Sequence, residues 1–479
     1  MIFLPAYSIE IGLILWGVVI LMWDAFNPKA DRGIVTGLSV LVLLWLTGLS
    51  FFGDFEIPSA FFNELYIHDG FSAITKPLIL ISSLFTVVLI YEYRSQIPLG
   101  FAELIFLVMM ATTGMMILCS VNEFMTLFVS LELVTISFYV MVSFLRKSPR
   151  SLEAGIKFLV ISALTSAFLL MGIAYYFGIL GTTSLINALP AEGFAIMALV
   201  FIITGLGFKV ALVPFHIWVP DTYQGAPTPI TAFLATASKV VGYVALMRVL
   251  FLAFATPSMV GLWSTVLAAV AGVTMLFGNL AALPQTNIKR ILAYSSIGHT
   301  GFVLLGLSTV NGFGLTAVVY YLFAYVIATI LCFLVLIIVS NTSHSENIIE
   351  FSGLAKRSPG LAFAMTIGLV SLAGIPPLAG FFGKFLVFSA AIYNAPAYPG
   401  FWILVAVGII STLIGLYYYL GIVKMMYFGK VEDDRALHYS TLAKFTMIVL
   451  IVAVFALGIC QNTLTTWITN SLGNFGSGY

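Results

Sequence analysis

The sequence predicts an all-α polytopic membrane protein with about fourteen transmembrane helices, and three observations carry that reading. Hydrophobic residues make up 61% of the 479 residues, with a mean hydropathy of +1.11. Charged residues make up only 8%, against about a quarter in ordinary soluble domains. Apolar runs recur from end to end, each near the roughly 20 residues needed to cross about 30 Å of hydrocarbon. The runs are continuous rather than alternating, which excludes a transmembrane β-barrel. A net charge of +1 leaves no basic stretch able to neutralise a run of phosphates, so nucleic-acid binding is excluded as a main role.

Turn residues and charges cut the chain into spans at 5–25, 33–52, 71–91, 100–120, 123–145, 156–178, 193–213, 229–253, 259–283, 288–308, 313–340, 360–391, 400–428 and 443–470. The first run lacks a basic leader and a small-residue cleavage site, so it reads as a retained helix rather than a signal peptide. Basic residues test the count independently. Lys29 and Arg32, Arg94, the trio Arg146, Lys147 and Arg150, then Lys289 and Arg290, Lys356 and Arg357, and finally Lys430, Arg435 and Lys444 fall in or beside alternate connections. The intervening connections hold none, and the 7–8 connection, also without Lys or Arg, is the one inner connection that gives no information. Lysine and arginine mark the cytoplasmic side, which places both termini on the non-cytoplasmic side. Cys119, Cys332 and Cys460 stand singly in apolar runs. No iron–sulfur or metal spacing exists among them, so no cofactor is expected on this chain.

Charges inside spans are costly unless they have a partner, water or a task. Counting about 1.5 Å per residue, Glu132 on span 5, Lys239 on span 8 and His299 on span 10 each lie about 14–16 Å deep. Three titratable groups thus converge on the midplane, with Glu132 the clearest buried acid. Lys209 and Lys384 sit beside interrupted spans. Lys157 has an alternative as the i,i+4 partner of Glu153 or as a snorkelling side chain. Lys76 pairs with Asp69 or reaches the interface, and Arg248 snorkels outward.

Two spans are broken. Span 7 carries Gly205, Gly207, Pro214 and His216 around Lys209; span 12 carries Gly374, Pro376, Pro377, Gly380 and Gly383 before Lys384. Proline removes a helix donor and glycine relaxes the backbone. Irregular backbone survives at membrane depth only inside protein or along a wet cavity. The breaks fall at the fourth member of two five-helix sets, spans 4–8 and 9–13, the mark of an inverted repeat. The units are therefore 1–98 (three N-terminal helices), 99–254 and 255–430 (the two repeats), and 431–479 (a C-terminal helix). Lysines, one histidine and one glutamate suit proton transfer better than the many-oxygen sites that metal cations need.

These residues resemble the antiporter-like membrane subunits of proton-pumping NADH:quinone oxidoreductase (respiratory complex I), a family similar to subunits of multisubunit Na⁺/H⁺ antiporters. The stretch from Gly207 and Lys209 through Pro214, His216, Trp218, Pro220 and Asp221 looks like the family's span-7 signature. Tyr223, Gly225, Pro227 and Pro229 resemble the N-type members, as does Gly380-Phe381-Phe382-Gly383-Lys384, where M-type members usually place glutamate at the lysine. The length and span count also fit the N type. The resemblance implies an input-side pair of Glu132 and Lys209, a central carrier at Lys239, a relay at His299, an exit-side group at Lys384 and an inner-entrance lysine at Lys157. It implies a translocase subunit of the cell inner membrane, with FMN, iron–sulfur clusters and quinone on partner subunits. Its neighbours would be M-type and small membrane subunits, the lipid bilayer and protons. The alternatives are a subunit of a multisubunit Na⁺/H⁺ antiporter or of a ferredoxin-linked relative.

Overall fold

The computed structural model describes residues 4–27, 31–53, 55–56, 65–191, 193–431, 435–473 and 475. Lys29, one of the topology markers, lies outside them. Among the described residues, thirteen helices are long and apolar enough to cross a membrane, and a broken pair supplies the fourteenth span. Three helices come first: α1 Ser8–Phe26, α2 Arg32–Phe52 and α3 Gly70–Glu92. Asp69 and Ser72 form a capping box at the start of α3, satisfying two backbone donors that the first turn leaves unpaired.

The first five-span set is α4 Phe101–Cys119, α5 Phe124–Val142, α6 Pro149–Leu180, the broken pair α7 Gly193–Val210 and α8 Trp218–Gly225, and α9 Thr228–Ala253. The second is α10 Pro257–Ala282, α11 Ile288–Ser308, α12 Gly312–Ser343, the broken pair α13 Pro359–Ala373 and α14 Ala379–Asn394, and α15 Gly400–Phe428. The two sets correspond at their third and fourth members. Their third members, α6 and α12, are both 32 residues long, about 48 Å of helix, so each must tilt or project to fit the bilayer. The fourth member of each is interrupted.

Burial sorts the helices. Every residue in the apolar windows of α9 and α12 is buried, and nearly all of that of α11, whereas α1, α2 and α15 bury under a third of theirs. A helix apolar all round belongs inside, and one with a single buried stripe belongs at the lipid edge. The core is therefore α9, α11 and α12.

Three boundaries differ from the hydropathy reading. Span 7 does not end at 213: its second half, α8, runs to Gly225, disguised by Asp221, Thr222 and Gln224. Span 6 begins at Pro149, where Ser148 caps the helix. The last apolar run, 443–470, is two helices, α16 Thr441–Ile459 and α17 Gln461–Leu472. Gln461 and Asn462 break the run, and α17 buries Ile468 and Leu472 while packing against α12. Residues Leu4–Pro5 and Phe55–Glu56 also pair as two short parallel strands, which the all-helical reading did not include.

Candidate functional site, a line of charges and hydroxyls

The expected residues separate into two groups joined at the core. In the first, Glu132 is not the deeply buried acid expected. It is half-buried on a stripe with exposed Met125, Val129, Ile136 and Val140, because α5 lies at the edge of the bundle. Its carboxylate accepts from the Ser166 hydroxyl at 2.6 Å. The Lys209 ammonium turns to other groups, donating to the hydroxyls of Thr135 and, at 3.4 Å, Ser162. Thr135 lies one turn beyond Glu132 on α5, and Ser162 one turn before Ser166 on α6. Two adjacent helices thus interpose hydroxyls between acid and base. A cavity of about 10 Å³ adjoins Lys209, Thr135, Trp218 and Ser238, near the lower size limit for one water.

Lys239 stands one residue after Ser238 and is 2% exposed. Its ammonium donates to the Ser296 carbonyl at 2.7 Å, the Ser296 hydroxyl at 3.0 Å and the Thr300 hydroxyl at 3.2 Å. Thr300 in turn donates to the carbonyl of Val210 at 2.7 Å, the last residue of α7 before its break. The α9 helix loosens at this point, with π turns at Leu234–Ser238 and Val249–Ala253, a feature frequent at functional sites. Of the three groups expected to converge, Lys239 reaches α11 at Ser296 and Thr300, on either side of His299 in the sequence. Glu132 stays with the Lys209 group.

His299 is held through both ring nitrogens, Nδ1 to the Tyr321 hydroxyl at 2.6 Å and Nε2 to the Tyr419 hydroxyl at 3.2 Å; Tyr419 also bonds Ser295. Lys384 is buried and donates to the Ala373 carbonyl at 2.8 Å, satisfying the C-terminus of α13. The phenyl ring of Phe302 lies 5.0 Å from its ammonium.

The breaks position these lysines. Pro214 and Pro377 each follow a cis peptide bond. His216 packs edge-on against Phe277 at 4.5 Å, and the Trp218 indole donates to the Phe208 carbonyl at 3.1 Å, closing the first break. In the second, Gly374 has φ +87°, a conformation that side chains disfavour. A Cβ on Gly380 would lie 1.8 Å from the Ser371 carbonyl oxygen, and one on Gly383 would press on the Tyr321 ring at 3.0 Å. Pro376 and Pro377 fill the turn between the half-helices.

Lys157 lies apart, at a groove of about 210 Å³ lined by Arg150, Glu153, Asp221 and Gln224. It bridges Glu153, as the i,i+4 alternative had it, and also Asp221, both at 2.8 Å. Arg290 reaches the same Asp221 at 3.0 Å. Lys289, read as a loop marker, is 2% exposed and pairs with Glu346 at 2.6 Å.

Two expectations about outlying charges fail. Lys76 pairs with Glu10 at 2.9 Å and with the Tyr66 hydroxyl, not with Asp69. Seven residues of helix put Asp69 about 10 Å below Lys76, out of reach. Arg248 does not snorkel: it is fully buried, forks onto both Asp69 oxygens at 2.8 and 3.0 Å and donates to the Cys119 carbonyl. Since α9 has no lipid-facing side, no route outward exists.

Sequence reasoning missed the hydroxyls, namely Thr135, Ser162, Ser166, Ser296, Thr300, Tyr321 and Tyr419. Their one available signal was spacing, since Thr135 follows Glu132 by three residues and Ser296 and Thr300 flank His299.

Residues 121–415 match the family described as NADH:quinone oxidoreductase/Mrp antiporter, transmembrane. The NADH-quinone oxidoreductase subunit N of Heliobacterium modesticaldum is 40% identical over 456 residues, 94% of this chain and 95% of that protein. A chain of respiratory complex I from Thermus thermophilus superposes with a TM-score of 0.79 at 30% identity, covering 96% of this chain and 99% of that one. A chain of the Mrp complex from Dietzia shares the fold, with a TM-score of 0.80 at 21% identity over 98% of each. Matched along nearly its whole length, the chain belongs to the NADH:quinone oxidoreductase/Mrp antiporter transmembrane family, among its NADH-quinone oxidoreductase subunit N members.

Proposed function

We propose that this chain is the proton-translocating N-type membrane subunit of a NADH:quinone oxidoreductase, driven by electron transfer on its partner subunits. The observation that carries the reading is the series Lys209, Lys239, His299 and Lys384 through both repeats, each ending on hydroxyls or carbonyls. A lysine without a carboxylate partner can give up its proton inside the membrane, because burial disfavours its charged form. Lys157 would stand at the inner entrance, Glu132 and Lys209 would load the proton, Lys239 and His299 would pass it, and Lys384 would deliver it. FMN, iron–sulfur clusters and the quinone site belong in this reading to partner subunits, M-type and small membrane subunits among the neighbours. The alternation of basic connections supports a bacterial inner-membrane protein with both termini outside, divided at 1–98, 99–254, 255–430 and 431–479.

The test is the assembled complex in sealed vesicles carrying Lys239→Met or Lys384→Met. NADH-driven proton uptake falls more than tenfold if the line is the path. Pumping at the normal rate in both variants overturns the reading. Co-purification with flavin- and iron–sulfur-bearing subunits separates it from a cation/proton antiporter.

A further inference from the structure

Phe302 stands close to both His299 and Lys384, its ring centroid 6.5 Å from the imidazole. Phe302 lies three residues after His299 on α11, and its ring faces the Lys384 ammonium at 5.0 Å. An aromatic face holds a cation but passes no proton. The polar way round runs through Tyr321 on α12. Its hydroxyl is 2.6 Å from His299 Nδ1, and its ring is stacked on Phe302 with centroids 6.3 Å apart. Gly383, beside Lys384, leaves room for that ring. Beyond the hydroxyl is a cavity of about 10 Å³ lined by His299, Tyr321, Ala324, Tyr325, Ser371, Leu372 and Gly380. That is close to the smallest space that holds one water, and its walls offer the two to four polar partners a buried water requires. Ser371 lies two residues before Ala373, whose carbonyl holds Lys384. Gly380 lies one turn before Lys384.

We infer that Tyr321 is a relay residue that carries the proton between His299 and Lys384 through one water at the second helix break. The inference rests on the proposed function and adds a residue and a route to it. In the transfer, His299 Nδ1–H gives its proton to the Tyr321 oxygen while the phenol passes its own to the water. The water releases one toward the neutral Lys384 amine, so His299 ends neutral and Lys384 charged. Rotation of the phenol hydroxyl resets the chain. Tyr321 never holds a net charge.

The assembled complex in vesicles tests this with Tyr321→Phe, which removes only the hydroxyl, and Ala324→Val, which fills the cavity without touching a polar group. The measurements are coupled quinone-reductase turnover with proton uptake, its solvent deuterium isotope effect, and NADH oxidation by an artificial acceptor as a check on assembly. Both variants are expected to slow coupled turnover at least fivefold and to raise the isotope effect, with the artificial-acceptor rate retained. A merely structural role would not move the isotope effect. Should Tyr321→Phe fail to assemble, Ala324→Val decides alone. Normal turnover and isotope effect in these variants, while Lys384→Met stops pumping, overturns the relay and leaves the proposed function standing. A harmless Lys384→Met removes the relay, and normal pumping in both Lys239→Met and Lys384→Met removes the proposed function with it.

Discussion

Lys76 and Arg248, between α1, α3 and the C-terminal end of α9, meet Glu10 and Asp69 within 2.9 Å. Lys209, Lys239 and Lys384 end instead on hydroxyls and carbonyls. Lys239 and Lys384 are buried like Lys76 and Arg248, and Lys209 is half-buried. A buried pair satisfied at ion-pair distance neutralises itself and becomes costly to break, because removing one partner strands the other in low dielectric. A buried ammonium held only by neutral oxygens has no fixed counter-charge, so its proton is the cheapest thing to move. In the proposed function, pairing rather than burial separates the structural charges from the working ones.

That separation is easiest to break at the core. Lys239→Met and Lys384→Met should each reduce proton uptake more than tenfold while the complex still assembles, since methionine fills a similar volume and leaves no orphaned charge. Loss of assembly in both would put these lysines in the structural set and erase the distinction.

The opposite outcome is expected at the paired set. Asp69→Asn should strand Arg248 and destabilise the chain by about 3 kcal/mol, the order found when one member of a buried pair is removed. Thermal melting of the detergent-solubilised complex reads this directly. Pumping per assembled complex should stay normal, and a translocation defect at normal stability would move Asp69 into the working set. Low pH should act in the same sense. Burial works to raise the Asp69 carboxyl, but Arg248 more than reverses it, so the group sits below its ordinary value. A carboxyl depressed in the folded state contributes stability that is complete above its unfolded value of about 4. The contribution is lost as pH falls through the folded value. Melting below pH 4 should therefore approach that of Asp69→Asn.

The sequence singles out Lys209, Lys239 and Lys384 more readily than it does the partners of Lys76 and Arg248, for a physical reason. A lysine in an apolar run announces a cost that something must offset, and two broken spans marked where Lys209 and Lys384 sit. The identity of the offset was hidden. Glu10 and Lys76 lie 66 residues apart, and nothing local joins them, so Asp69 was chosen on nearness in sequence alone. Serine, threonine and tyrosine are ordinary in membrane helices, where they bond their own preceding turn, as Thr112 and Thr113 do here. Only packing shows that Thr135, which also bonds the carbonyl of Leu131, and Tyr321 each face a titratable neighbour. Glu132, expected to be buried, is half-buried on the outward stripe of its helix, because counting along a helix gives position but not facing.

A smaller effect sharpens the comparison in the first repeat. Thr135→Val keeps the shape of the side chain and removes one acceptor from Lys209. A single hydrogen bond to a charged group contributes about 1.5–3 kcal/mol, and Ser162 remains to take part of the load. Proton uptake should fall several-fold, less than in Lys239→Met, with the melting midpoint little changed. An effect equal to loss of the lysine itself would mean that Thr135 is the only route between Glu132 and Lys209.

Lys157 falls between the two sets and should respond least. Its ammonium is paired twice, to Glu153 and Asp221, yet its side chain is 43% exposed. Exposed pairs gain little, because water and salt screen them. If pairing alone conferred a structural role, Lys157→Met would lower the melting midpoint as Asp69→Asn does. The expectation is an unchanged midpoint and a modest fall in proton uptake, with the groove beside Arg150 and Gln224 still open to water. Raising the salt concentration should shrink even that difference between mutant and wild type, since Asp221 then loses its hold on both Lys157 and Arg290. The Asp69–Arg248 pair, whose guanidinium is out of water's reach, should ignore the same change in salt.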